Sequence, residues 1–247
     1  MEEVNVRFLG SGDAFGSGGR FQTCIQVRSG EAHFLIDCGA SSLVAMKHFG
    51  VDPSLVDIIL LTHLHGDHFG GLPFFVLDAQ YVSRREKPLI VAGPPGLEDR
   101  VNEAMEALYP GTSQAQREFA LKFIELTDGT PTTIGPLVVT PYEVVHPSGA
   151  PSYALRVECG GKVLAYSGDT EWTDALVRAA SGADVFVCEC NFLEESAGYH
   201  MDYRTLTEHR ARLKCRRLVL THMGEEMLRK VGDLDVEAAH DGKSFAL

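Results

Sequence analysis

No apolar run in the chain approaches the ~18 residues that a membrane-spanning helix needs, and the start, Met1-Glu2-Glu3-Val4, is acidic where an export signal is basic. A cytoplasmic protein with no membrane partner is the expectation. Positive charge is scarce as well: 22 Lys and Arg against 34 Asp and Glu leave a formal charge of -12. Such a surplus repels polyanions at long range, so stable nucleic-acid binding is not expected. The one dense basic run, Arg210, Arg212, Lys214, Arg216 and Arg217, reads as a solvated helix end. Linkers, repeats and low-complexity tracts are missing. With 247 residues, 45% of them hydrophobic, the chain has material for a sizeable core and reads as one domain over residues 1–247. Six cysteines in a chain of this length without an export signal are no disulfide framework. Cys188 and Cys190 face the same way on a strand, but no second pair accompanies them, and small buried hydrophobes are the better reading than a soft metal pair. The loop from Gly10 to Gly19 is rich in glycine yet lacks the Lys-Ser/Thr of a phosphate-binding loop. It reads as a flexible wall of a site.

What is present is concentrated in residues 57–73, where the apolar run Ile58 to Leu61 empties into His63, His65, Asp67 and His68. The run has no polar break, as in a strand buried on both faces, and the glycines after it supply a turn. His63 and His65 are two apart, which on a helix would splay them by about 200°. An extended loop that aims both the same way is more economical, with Asp67 as the N-cap of a short helix carrying His68. Imidazoles with a carboxylate suit zinc and neighbouring transition metals in a catalytic site. Four such groups in six residues exceed what one tetrahedral ion accepts from one loop, and two ions sharing further ligands are the natural extension.

Other strand-like runs also end in polar groups. Phe34-Leu35-Ile36 ends in Asp37, and Leu43 and Met46 then follow at helical spacing up to Gly50. Residues 119–145 are strand-like, with turns at Asp128-Gly129 and Gly135-Pro136, and lead to His146, whose type alone fits packing or capping as well as ligation. Lys162 to Tyr166 ends in Ser167-Gly168-Asp169-Thr170, where Asp169 alone would also fit an N-cap. Asp184 to Phe192 buries Glu189 at a strand end, where an unpaired carboxylate is expensive. Its expected partner is His200. Arg217 to His222 echoes the Leu-Thr-His triplet of residues 61–63, as though two similar half-sandwiches present ligands at one edge. Asp241-Gly242 reads as a tight hairpin turn, and His33, His48, His209 and His240 as surface or helix-end residues. Polar strand ends that converge, with helices between, predict an α/β chain of two mixed sheets face to face and helices outside, an αββα four-layer sandwich.

The order His63-x-His65-x-Asp67-His68, with Gly70-Gly71-Leu72-Pro73 after it, resembles the signature of metallo-β-lactamase-fold hydrolases. Leu9-Gly10-Ser11-Gly12-Asp13, Gly93-Pro94-Pro95-Gly96-Leu97, Pro151-Ser152-Tyr153, Ser167-Gly168-Asp169-Thr170 and Leu220-Thr221-His222 are similar to one branch, the tRNase Z-like and phosphonate-pathway cyclic phosphodiesterases. The resemblance implies two divalent ions, zinc first and manganese or iron as alternatives. One would take His63, His65 and His146, the other Asp67, His68 and His222, with Asp169 bridging. It also implies that Asp37 lies near the ions without binding them and that His200, paired with Glu189, stands near the leaving group, with Asp67 accepting a hydrogen bond from the nucleophile. Ser148, Ser152 and Tyr153 are either substrate contacts or loop formers. One departure is plain: between His146 and Asp169 there is no room for the long basic arm with which tRNA-maturing members grip tRNA. The expected activity is therefore hydrolysis of a small phosphodiester, such as a cyclic nucleotide or nucleotide-like compound. tRNA 3′ processing and hydrolysis of a lactone, thioester or sulfate ester are the alternatives, and a homodimer is left open.

Overall fold

Ile58-Ile59-Leu60 is a strand in the computed structural model of the chain, and its alternating side chains explain the missing polar break. Ile58 and Leu60 enter one apolar core and Ile59 another, so both faces are covered. The structure describes residues 3–30, 32–194 and 198–247; Met1 and Glu2 of the acidic start lie outside them. The described strands are β1 (Asn5–Gly10), β2 (Cys24–Ser29), β3 (Ala32–Ile36), β4 (Ile58–Leu60), β5 (Leu89–Gly93), β6 (Leu121–Glu125), β7 (Thr132–Ile134), β8 (Leu137–Val144), β9 (Ser152–Cys159), β10 (Lys162–Tyr166), β11 (Val185–Glu189), β12 (Leu218–Thr221), β13 (Glu237–Ala238) and β14 (Ser244–Ala246). The helices are α1 (Ser42–His48), α2 (Gly66–Phe69), α3 (Leu72–Tyr81), α4 (Leu97–Leu108), α5 (Asp174–Ala180), α6 (Tyr203–His209) and α7 (Glu225–Lys230).

One sheet runs β14-β1-β2-β3-β4-β5-β6 and the other β7-β8-β9-β10-β11-β12-β13. Each begins with antiparallel neighbours and continues parallel, the change falling at β3 in the first sheet and at β10 in the second. The two halves are thus alike, as expected. The Leu-Thr-His echo nonetheless falls on non-equivalent strands, since β4 is the counterpart of β11 and not of β12. Between the sheets lies a core that includes Phe8, Phe34, Leu60, Tyr166 and Val187. Met46, Phe75 and Val101 of α1, α3 and α4 cover the outer face of the first sheet. Leu176, Leu206 and Met227 of α5, α6 and α7 cover that of the second. The layers are helix, sheet, sheet, helix: an αββα sandwich.

Asp241-Gly242 is a turn but not a hairpin, because the strands that flank it belong to different sheets. Glu237 on β13 accepts both guanidinium contacts of Arg217, at 2.8 and 2.7 Å, and the Lys243 ammonium at 2.9 Å. Arg217 also stacks 3.7 Å from the ring of Phe245 on β14, so this cluster staples the edges of the two sheets. The Arg217 bond, then Lys243, holds the Glu237 carboxyl at about 2, below its ordinary 4.5. A depressed carboxylate adds stability that is present above the ordinary value and fades as pH falls toward the folded one. Glu237→Gln is expected to lower the unfolding free energy by about 1 kcal/mol at neutral pH, with the gap to wild type closing near pH 2. An equal gap at both pH values, read by denaturant melts, would contradict this.

Candidate metal centre

The carboxyl ends of β3, β4, β10, β11 and β12 meet at one rim of the sandwich, and each delivers a polar residue there: Asp37, His63, Asp169, Glu189 and His222. After β4 the chain bends back so that His65 ends an extended stretch and its carbonyl starts α2, accepting from His68 and Phe69 N–H at 3.0 Å each. His65, not Asp67, is therefore the N-cap; Asp67 lies inside the first turn, which turns its carboxylate toward His68 and His222. The loop can sit this close to β3 only because Gly39 has no side chain, since a Cβ there would overlap the Asp67 carbonyl oxygen.

Asp37 is fully buried in the left-handed region (φ 60°) and accepts from the Thr62 N–H at 2.8 Å, the Thr62 hydroxyl at 2.9 Å and His68 Nδ1 at 2.7 Å. The Thr62 hydroxyl, its proton spent on Asp37, accepts from His63 Nδ1 at 3.0 Å. One carboxylate thus sets both tautomers and leaves Nε2 of His63 and of His68 as bare lone pairs, the arrangement by which outer carboxylates orient metal-binding histidines. His146 likewise donates Nδ1–H to the Tyr199 carbonyl at 2.9 Å. Asp37→Asn puts an N–H where these donors need acceptors. It is expected to weaken metal affinity by about 10- to 100-fold in a chelator competition while the circular dichroism spectrum is kept. Unaltered affinity would contradict the tautomer assignment.

Among the described residues four groups of potential ligand atoms result, the atoms of each within 4.8 Å of one another. Two match the expected sets, His63, His65 and His146, and Asp67, His68, Asp169 and His222; the other two join His200 to His146 and Asp169 and to Glu189 and His222. Asp169 lies between the two expected sets, 3.9 Å from His63 Nε2, 4.0 Å from His146 Nε2, 3.3 Å from His68 Nε2 and 3.5 Å from His222 Nε2. The residues fit a metal on their own chemistry. The buried His63 Nε2, His68 Nε2 and Asp169 Oδ1 have no hydrogen-bond partner, and the His68 lone pair faces Asp67 and Asp169 oxygens at 3.2 and 3.3 Å. Acceptors so close repel unless positive charge lies among them. The titration tendencies agree. Burial would raise Asp67, but the facing His68 and His222 outweigh it and hold the carboxyl far below its usual range. Burial would lower His222, but Asp169 and Asp67 push it up to about 9.

At the mouth stands a further pair. His200 Nδ1 lies 3.1 and 3.3 Å from the two oxygens of Glu189, which also accepts from the Thr170 N–H. Burial opposes charge on His200, and Glu189 overrides it to raise the imidazole above its ordinary value. A cavity of about 170 Å³ opens onto His65, Asp67, His146, Asp169, His200 and His222, with Asp13, Ala14, Phe15, Asn191 and Phe192 completing its wall.

All nine residues expected at the site therefore meet. Others do not join it. The Ser148 and Ser152 hydroxyls bond each other, and Ser152 bonds the His146 carbonyl, at 2.9 and 2.8 Å, while the buried Tyr153 donates to the Leu126 carbonyl at 3.2 Å. They shape the loop. Cys188 and Cys190 lie in the core beneath α5 and α6, and Arg212, Arg216 and Arg217 are paired with Asp174, Asp184 and Glu237. The Gly10–Gly19 loop is tied down, contrary to the flexible wall expected. Asp241 accepts from the Ser11 N–H at 2.9 Å, its hydroxyl at 2.8 Å and the Phe21 N–H at 2.8 Å. The Ser11 carbonyl in turn accepts the His222 N–H at 3.1 Å and so helps hold that residue in the left-handed region (φ 56°). Backbone acceptors such as Ser11 and Tyr199 carry no residue-type signal. Asp241 was visible only as a turn former.

Fold and site together define a metal-dependent hydrolase of the metallo-β-lactamase fold. The metallo-β-lactamase-fold protein YhfI from Bacillus subtilis superposes with a TM-score of 0.78 at 22% identity, over 99% of this chain and 100% of that one. The short form of human tRNase Z superposes with a TM-score of 0.79 at 24% identity, over 98% of each chain. A ribonuclease Z of Anoxybacillus flavithermus is 28% identical over 96% of this chain and 92% of its own length. Within this class the chain belongs to the family described as Anti-Pycsar protein Apyc1, whose profile matches residues 4–240.

Proposed function

We propose that the chain is a phosphodiesterase that uses two divalent ions, zinc first among them, to hydrolyse a small nucleotide-like phosphodiester of the cyclic-nucleotide kind. The observation that carries this is the His200–Glu189 pair at the mouth of the metal centre. An alkoxide leaving a phosphodiester needs a proton, whereas the leaving group of an activated lactam does not, and a histidine kept protonated beside the reacting centre answers that need. The ions would be held by His63, His65 and His146 on one side and by Asp67, His68 and His222 on the other, with Asp169 shared. When bound they lower the pKa of a water toward neutrality and offset charge on the phosphoryl oxygens.

The chain's own groups do the rest. Asp67 accepts a hydrogen bond from the attacking water and orients it. Glu189 holds His200 by Nδ1, which keeps the ring in place and leaves Nε2–H to protonate the departing oxygen. Asp37, through Thr62 and His68, keeps the lone pairs of His63 and His68 aimed inward.

A small substrate is favoured by the 170 Å³ cavity, less than the roughly 300–1,000 Å³ of common ligand pockets. The formal charge of -12 and the pairing of Arg212, Arg216 and Arg217 with carboxylates favour it too. The second reading, tRNA 3′ processing, has in its favour the likeness to a ribonuclease Z over 96% of the chain. Rates on cyclic mononucleotides, bis-p-nitrophenyl phosphate, p-nitrophenyl sulfate, a lactone and pre-tRNA separate the readings. Hydrolysis confined to the phosphodiesters supports the proposal. Cleavage of pre-tRNA at low salt with a steep loss as salt rises supports the alternative, and activity on only the lactone or the sulfate contradicts both.

A further inference from the structure

Phe15 is 93% exposed, the most exposed large hydrophobic side chain among the described residues. Single exposed hydrophobics are common and mean nothing alone. This one sits on the wall of the metal cavity and at the same time on the wall of a neighbouring hollow of about 480 Å³, shared with Ala14, Gly16, Gln22, Ser41 and Val44. Its loop is built to hold it there. The buried Asp13 carboxylate accepts from the Phe15 N–H at 3.2 Å, the Ser17 N–H at 2.9 Å and the Ser17 hydroxyl at 2.7 Å. Gly18 N–H bonds Glu225 at 2.8 Å, and Gly16 and Gly18 take the left-handed backbone (φ 68° and 64°) that the tight path requires. Asp241 clamps both stems of the loop through Ser11 and Phe21. A rigid loop holding an apolar ring in water at the rim of a reaction cavity loses little freedom when something flat covers the ring.

The size of the cavity says what that is. Its 170 Å³ accepts a phosphoryl group and part of a sugar, so the remainder of a nucleotide lies beyond the rim, on the side where Phe15 separates the two hollows. We propose that Phe15 is a specificity-determining residue whose ring stacks on the nucleobase of a cyclic mononucleotide whose phosphodiester lies against the metal-binding residues. This rests on the phosphodiesterase reading above. Stacking is indifferent to the hydrogen-bond pattern of the base, so Phe15 selects for the presence of a base over its absence and discriminates weakly among bases.

The test compares the metal-loaded wild type with Phe15→Ala, Phe15→Leu and Phe15→Trp on a 3′,5′-cyclic mononucleotide and on the abasic ribose 3,5-cyclic phosphate. The expected result is a KM for the cyclic nucleotide about tenfold higher in Phe15→Ala and Phe15→Leu, a kcat within about twofold, recovery in Phe15→Trp, and no change in KM for the abasic compound. The chain has a single natural tryptophan, Trp172, so the added indole of Phe15→Trp also gives a binding signal. Its emission is expected to be quenched by a non-hydrolysable phosphorothioate analogue of the nucleotide and not by inorganic phosphate. A KM that rises equally for both substrates, or for neither, overturns the stacking role. A Phe15→Ala variant that changes oligomeric state in light scattering without altering the ratio of the two KM values also overturns it, because the ring then covers a second copy of the chain. A wild type inactive on both compounds overturns the phosphodiesterase reading itself, a result separate from any behaviour of Phe15.

Discussion

Asp169→Ala is expected to lower the metal content of the purified protein from the proposed two ions per chain toward one or none, and kcat/KM with it, by on the order of 10³-fold or more, since water would then lose the acidity that a paired site confers. The reason is positional. Among the described residues Asp169 is the one carboxylate within 4.0 Å of atoms in both ligand sets. Without it, two ions held there would lose the shared carboxylate that offsets part of their mutual repulsion. Elemental analysis after gel filtration checks the first half of the expectation and phosphodiester turnover the second. Full occupancy in the variant would contradict the bridge.

His200→Ala is expected to behave in the opposite way, keeping its metal and losing rate selectively. For substrates that release an alkoxide, kcat falls by about 10²- to 10⁴-fold, the usual span for a lost general acid. For p-nitrophenyl esters, whose leaving group needs no proton, the loss is small. Glu189→Gln should share this selectivity in weaker form, since its amide can still hold the ring while no longer stabilising the imidazolium. An equal loss on both substrate types would remove the proton-donor role and leave His200 a part of the metal centre.

Much of this site is legible in the sequence. The His63–His68 loop declares itself because four metal-favouring side chains after a doubly buried strand have no packing purpose, and Glu189 because a carboxylate at such a strand end needs a partner. His146 and Asp169 were legible by resemblance alone, since a histidine after Val144-Val145 and an aspartate before a helix have ordinary explanations. The αββα layering followed from apolar runs covered on both faces. What stayed hidden was geometry made by backbone atoms and by the meeting of remote segments. Nothing in Asp241-Gly242 announces that its carboxylate clamps Ser11 and Phe21, more than two hundred residues away in the chain. The Gly10–Gly19 loop differs from its expected flexibility for this reason: glycine content signals conformational freedom, while the bonds that remove that freedom come from elsewhere. Asp67 is not the expected cap because its side chain's orientation depends on the partners it finds across the site, His68 and His222, and not on local helix preference.

The claim on which all of this depends is that one cluster of seven side chains grips a pair of cations. Anomalous diffraction from crystals of the purified, metal-loaded protein, collected at the zinc, iron and manganese absorption edges, tests it most directly. Two peaks about 3.5–4 Å apart, one among His63, His65 and His146 and the other among Asp67, His68 and His222, with Asp169 touching both, are the predicted result. A lone peak, or peaks elsewhere in the molecule while these histidines bind only water, would contradict it.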